Sequence, residues 1–160
     1  MSFYYFSRPT LAICMAAGVL TLNGCVATDD TDSSTDVSYS ILDSGTDPIN
    51  TDESKFTKVI YNQYDYENEL AYYTTDDADD IDFDTHRVVL IDLGERDSDE
   101  YALTLNDISS SDNAVTLSYT ISVPDSTCTS TTSTNPYALL SLKTTKEVLI
   151  KESMETVSCN

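Results

Sequence analysis

The single histidine of the chain is the first candidate for chemistry, because imidazole often acts as a general base. His86 lies beside Arg87 in a sequence rich in Ser and Thr, which could supply a hydrolytic site. Nucleophilic catalysis needs a nucleophile on a strained turn, next to a base that an acid orients. The sequence has neither Gly-x-Ser-x-Gly nor His-Glu-x-x-His. We therefore interpret His86 as a residue at the start of a strand and expect no catalytic residues and no enzyme activity.

A dense acidic run is the second candidate, with six aspartates in the nine residues from Asp76 to Asp84. Carboxylate oxygens are the ligands that Ca²⁺ prefers, but the run lacks the glycine turn and the bidentate glutamate of an EF-hand loop. Runs of like charge are more typical of solvated loops. We interpret the run as such a loop and predict no cofactor and no metal ligands, with Ca²⁺ binding as the alternative.

Composition excludes one class of partner. The 160 residues carry 28 acidic and 8 basic side chains, for a formal net charge of −20. Nucleic acid binding requires clustered Lys and Arg, so nucleic acid is not expected as a partner. Hydrophobic residues make up 40% of the chain and include 11 tyrosines, which is too apolar for a wholly disordered protein.

The beginning of the chain predicts where the protein works. Arg8 precedes an apolar run over residues 11–22, which is too short to span a membrane and is typical of a signal peptide. The sequence that follows, Leu22-Asn23-Gly24-Cys25, resembles the lipobox of bacterial lipoproteins. The resemblance implies a signal peptide over residues 1–24 and a lipid on Cys25. The alternative is an ordinary secretory signal, with Cys25 free or in a disulfide.

The lipoprotein resemblance also implies a location and a role for the other cysteines. Its implied partner is the membrane, held through the lipid on Cys25, and Val26 suggests the outer membrane, with the domain facing the periplasm or the cell surface. Cys14 leaves with the signal peptide. Cys128 and Cys159 then remain, and in an oxidising compartment we expect them to form a disulfide.

Organisation of the remaining chain follows from composition and periodicity. Residues 25–55 are rich in Asp, Ser and Thr and predict a disordered tether, with the folded domain at residues 56–160. Residues 64–73 predict a helix that Asn62 or Asp65 caps. Alternating or continuous apolar patterns predict strands at residues 56–63, 87–93, 101–105, 114–123, 137–142 and 148–151. The expected fold is mainly β: a small antiparallel sandwich or partly closed barrel with one early helix.

Several short motifs occur in the order found in one known domain. They are Asp82-Phe83-Asp84, the apolar strand at 87–93 with Gly94-Glu95-Arg96, Tyr101, Cys128, Thr134-Asn135-Pro136-Tyr137 and Glu147-Val148-Leu149-Ile150. In this order they resemble the C-terminal domain of the protease-complex subunit PrcB family. A Thr-Gly-Gly-Tyr turn of that family is replaced here by Asp97-Ser98-Asp99-Glu100-Tyr101. The resemblance implies an exported, non-catalytic subunit that assists or stabilises a protease complex.

Tyrosine is the remaining excess, and there is no tryptophan. Tyrosine is enriched at protein interfaces, although we expect about half of these side chains to line the core. Tyr64, Tyr72 and Tyr101 are the candidate partner-binding residues. The sequence therefore favours a lipid-anchored envelope protein that binds an exported protein, such as a protease. The alternative is a structural acidic lipoprotein without a defined partner.

Overall fold

Eight strands and one helix make up the part of the chain that the computed structural model describes, residues 35–50 and 54–159. The strands are β1 (Thr35–Asp36), β2 (Tyr39–Gly45), β3 (Phe56–Ile60), β4 (Arg87–Asp92), β5 (Ala102–Ser110), β6 (Ala114–Pro124), β7 (Tyr137–Leu142) and β8 (Glu147–Val157), and the helix is α1 (Gln63–Leu70). The first sheet has the order β1-β5-β6-β8 and the second β2-β7-β4-β3. The predicted mainly-β sandwich is confirmed, and it is not a closed barrel.

An apolar core fills the space between the two sheets. Alternate residues of β6, including Leu117 and Tyr119, are buried in it, as the period-two pattern predicts. Val89 and Ile91 of β4 enter the same inner cluster, whereas Leu90 points to the opposite face. Because β4 lies between β3 and β7 and is covered on both faces, its sequence is apolar without alternation.

The helix covers the outer face of the second sheet. It begins at Gln63 because the side chain of Asn62 accepts a hydrogen bond from the backbone N–H of Asp65 at 2.9 Å. The cap also ends β3 at Ile60, earlier than predicted. Tyr66 and Leu70 are buried one helical turn apart against an outer cluster that includes Leu90. Within the described residues, no helix has the length and apolar character needed to cross a membrane.

The prediction of a disordered tether over residues 25–55 is wrong for the part that the structure describes. β2 pairs with β7 from Tyr39 opposite Leu142 to Gly45 opposite Tyr137. Val37 packs against the inner cluster and Leu42 against the outer one. These few apolar residues cannot form a core by themselves, and their burial depends on β7, almost 100 residues away in the chain. Residues 1–34, with Cys14, Cys25 and the predicted signal peptide, lie outside the described residues, as do residues 51–53.

The last strand also differs from the prediction. β8 extends to Val157 and runs parallel to β6, whereas every other strand pairing in the described sheets is antiparallel. The parallel pairing is possible because the chain crosses from β6 to β7 in the second sheet before it returns. Residues 151–156 are exposed and lack alternation. Backbone pairing with β6 and side-chain hydrogen bonds to it, such as that from Ser122 to Glu155, hold them, and periodicity does not reveal these contacts.

Candidate functional site: the open end of the sandwich

The two ends of the sandwich are closed differently. At one end β1 pairs with Ser109 and Ser110 of β5, and the chain then crosses to the second sheet, where β2 begins at Tyr39. At the other end a cleft of about 500 Å³ lies between the edges of β5 and β2. Its apolar lining comes from both sheets: Leu103, Leu105, Ile91, Ala138 and Leu140. We call these regions the closed end and the open end.

The mouth of the open end is formed by two turns. Asp99 and Tyr101 line one side, where the Arg96 guanidinium lies 5.9 Å from the centre of the Tyr101 ring. Gly45 lines the other side, and a Cβ at this position would lie 3.1 Å from the Tyr137 ring. The close approach of this ring to the backbone explains why a residue without a side chain stands there.

A buried carboxylate joins the segments behind the mouth. Asp92 and Asn135 are each 1% exposed. The Asp92 carboxylate accepts hydrogen bonds from the Tyr73 hydroxyl at 2.5 Å, the Asn135 Nδ2 at 2.6 Å and the Gly94 N–H at 2.7 Å. The backbone N–H of Asn135 in turn donates to the Thr46 carbonyl at 2.8 Å. These bonds connect the end of β4, the turn after α1, the segment before β7 and the turn after β2.

Sequence reasoning did not assign a role to this Asp92 cluster. Asn135 entered only as part of a family motif, and Asp92 only as a member of an apolar run. The available signal is the acid itself, because a charged residue at the end of a fully buried strand needs several hydrogen-bond donors. Gly94, two residues after Asp92, is a second signal, because its positive φ of 70° lets the chain turn back and aim its N–H at Asp92.

A disulfide supports the mouth from outside. Cys128 and Cys159 are bonded to each other, which ties the end of the chain to the loop after β6. One Glu100 oxygen and the two sulfurs lie within 4.8 Å of one another, but in the disulfide neither sulfur offers a thiolate to a metal. The Ser130 hydroxyl of the same loop donates to Asp99. Loop, disulfide and mouth therefore form one connected surface.

Two tyrosines that line the cleft have perturbed acidity. Burial raises the pKa of Tyr119 to about 12, and its hydroxyl donates to Glu152 at 2.7 Å. Burial and the neighbouring Asp43 raise the pKa of Tyr137 to about 12. Hydrogen bonds from Lys55 and Tyr119 hold the pKa of Glu152 below its usual value. Both phenols are thus hydrogen-bond donors at neutral pH.

The three candidate tyrosines do not form one site. Tyr64 and Tyr72 are 73% and 55% exposed, in and just after the helix that covers the outer face of the second sheet. Tyr101 is half-buried and packs against the inner cluster on the other side of that sheet. We expected about half of the tyrosines to line the core, and four of the nine in the described residues are buried: Tyr66, Tyr73, Tyr119 and Tyr137.

His86 and the acidic run have local partners. His86 Nδ1 lies 2.8 Å from the Thr85 hydroxyl and 3.3 Å from the Asp82 carbonyl, and His86 directly precedes β4. Between the exposed aspartates of the run, apolar side chains turn inward and pack against the outer cluster: Ala78, Ile81 and Phe83. The run therefore also covers part of the core.

Comparisons of the chain with protein-family models, with curated proteins and with solved structures found no match. The resemblance to the PrcB family and the lipobox reading stay predictions. The observations that bear on function are therefore the geometry of the open end and the lipobox-like sequence at residues 22–25.

Proposed function

We propose that this protein is a non-catalytic binding module of the bacterial envelope, attached through a lipid on Cys25, that contacts and stabilises or regulates an exported protein such as a protease. The observation that carries the proposal is the open end, an apolar cleft of about 500 Å³ between two strand edges. Folded proteins normally fill or cover such a gap, because exposed apolar surface and unpaired edges promote association. A cleft left open in this way is suited to receive part of another protein.

The surroundings of the cleft support binding. Tyr101 at the mouth offers a large apolar ring with a polar tip, the chemistry enriched at protein interfaces. The disulfide beside it limits the motion of the mouth, which lowers the entropy cost of binding. A disulfide is also typical of exported proteins, in agreement with the lipobox resemblance. Tyr64 and Tyr72 on the helix side provide a second exposed aromatic surface.

The experiment that tests the proposal is affinity capture from envelope extract with the full chain in mild detergent, followed by mass spectrometry. We expect one exported protein, and a protease in particular, to be retained. Tyr101→Ala should lower its recovery at least severalfold, whereas Leu149→Ala, on the outer face of the first sheet, should not. If nothing specific is retained, a structural acidic lipoprotein is the better account.

Attachment is tested separately by metabolic labelling with palmitate. The full chain should incorporate the label, Cys25→Ala should abolish it, and Cys14→Ala should leave it unchanged because that residue lies within the predicted signal peptide. Label that persists in Cys25→Ala contradicts the lipid anchor.

A further inference from the structure

The open end offers backbone groups as well as a cavity. On its side away from β6, β5 pairs with β1 only at Ser109 and Ser110. Over residues 102–105, which border the cleft, that edge has no strand partner within the described part of the chain. An extended segment that pairs there satisfies these N–H and C=O groups and aims every second side chain toward the cleft.

The cleft can take an apolar side chain from such a segment. Its volume, about 500 Å³, lies within the range of roughly 300–1,000 Å³ that is typical of ligand pockets. Leu103 and Leu105 of β5 face Ile91, Ala138 and Leu140 of the second sheet across this space. An aliphatic or aromatic residue inserted here loses contact with water and gains packing on two sides.

The charge around the mouth specifies the rest of the segment. The two segments that border it, residues 43–47 and 95–101, contain six acidic residues and one basic residue, Arg96, and among these acids Asp99 lines the cleft itself. The Arg96 guanidinium already donates to the Leu93 carbonyl and lies over Tyr101. Lys or Arg on the incoming segment is therefore attracted to Asp99 and to the net negative charge of these two segments, whereas a second copy of this chain, with a net charge of −20, is repelled.

We propose that the cleft binds an extended segment of a partner protein, with a large apolar side chain flanked by Lys or Arg, which adds a strand to the free edge of β5 and places that side chain between the sheets. This inference rests on the proposed protein-binding function and specifies the chemistry of the partner. The acidic mouth increases the rate of encounter and selects the basic flanks, and the cleft selects the apolar residue.

A labelled synthetic peptide is the probe, with the sequence Lys-Thr-Val-Thr-Leu-Thr-Val-Lys and fluorescence anisotropy of the full chain in detergent as the readout. Replacing the central Leu by Ser should weaken binding at least about tenfold, a typical loss for a buried anchor residue. Replacing both Lys by Glu should abolish binding at low salt. Added salt should weaken binding of the Lys peptide, because salt screens the attraction between exposed charges.

Two substitutions localise the site. Ala138→Met fills the cleft and should lower the affinity for the Lys peptide about tenfold. Ile41→Lys adds a positive charge at an exposed position in the lining of the cleft, so it repels the peptide without disturbing the core. Leu149→Met is the matched control for both. Near-ultraviolet circular dichroism shows whether each variant keeps its native packing. If Ala138→Met loses that packing, Ile41→Lys alone tests the location of the site.

Hydrogen exchange shows where on the protein the peptide binds. Bound peptide should slow exchange of backbone amides within residues 102–105. The proposal is overturned if the three peptides bind alike, if Ile41→Lys leaves the affinity unchanged, or if protection appears elsewhere. If the capture experiment still retains an exported protein under those outcomes, the binding function stands and only the cleft assignment falls. If the peptide binds as expected but no exported protein is retained, the proposed function fails instead.

Discussion

The closed end and the open end of the sandwich are stabilised by different interactions. At the closed end, the inner cluster is continuous through Ile108, Val115, Leu142 and Val148, and the Lys143 N–H donates to the Ser38 carbonyl at 2.9 Å across the crossing chain. At the open end, apolar side chains face a cleft, and the Asp92 cluster and the disulfide hold the surrounding segments. The closed end also carries a surface depression, of about 480 Å³, but most of the residues that line it are polar, whereas the cleft at the open end is lined mainly by apolar side chains from both sheets.

The difference shows how a small sandwich keeps a cleft open without losing its fold. Apolar contacts favour collapse and would close the gap. Directional hydrogen bonds to a buried carboxylate, together with a covalent link, fix the backbone at set distances without filling the space. Substitutions and pH can test whether polar and covalent links stabilise the open end while apolar packing stabilises the closed end.

The largest expected effect belongs to the polar support of the open end. Asp92→Ala leaves the donors of Tyr73, Asn135 and Gly94 buried without an acceptor, which should cost roughly 3–5 kcal/mol of the free energy of unfolding. Asp92→Asn keeps one acceptor oxygen and should lose less. Urea denaturation measures both. A loss under about 1 kcal/mol for Asp92→Ala would show that the cluster does not support the open end.

Loss of an apolar side chain should lower the free energy of unfolding much more at the closed end than in the cleft. Leu142→Ala at the closed end removes a fully buried side chain from the inner cluster and should cost about 2–5 kcal/mol. Ile41→Ala in the lining of the cleft removes a side chain that is 58% exposed and should change the stability by less than about 0.5 kcal/mol. Thermal and urea unfolding of the two variants, compared directly, give the test. Similar losses would remove the distinction between the ends.

The disulfide should contribute to the open end in particular. Cys159→Ser opens a link between residues 31 positions apart and should lower the free energy of unfolding by about 2–4 kcal/mol. Hydrogen exchange should increase near Asp99 and Tyr101, because loop contacts hold the mouth. Exchange near Leu142 should change only as much as global stability does. A uniform increase along the chain contradicts a local role.

Alkaline pH should weaken the open end by a smaller amount. The pKa of Tyr119 and of Tyr137 is about 12 in the folded state, whereas an unfolded tyrosine titrates near about 10. Their neutral forms therefore contribute stability below pH 10, which is lost as the pH rises toward 12. Tyr119→Phe and Tyr137→Phe should each reduce this loss in urea denaturation across that range. Tyr64→Phe, at an exposed position, is the control.

The regular strands and the helix could largely be predicted from the sequence, whereas the open end could not. β7 coincides with its predicted range, and α1 begins at the cap that Asn62 provides, because these elements carry their own periodicity or capping signal. β1, β2 and the second half of β8 are stabilised by pairing with distant strands, which no local pattern records. The cleft lies where side chains of distant strands do not meet, and no residue type or local pattern in the sequence indicates such a gap.

The most direct test is photo-crosslinking in cells, with a photoreactive amino acid at position 41, where Ile41 lines the cleft. Leu149, which is 46% exposed on the outer face of the first sheet, is the matched site for comparison. The account predicts a light-dependent adduct between position 41 and one exported protein, lost on Ala138→Met and absent from position 149. Equal adducts at both positions, or none at position 41, would contradict the claim that the open end is a binding site.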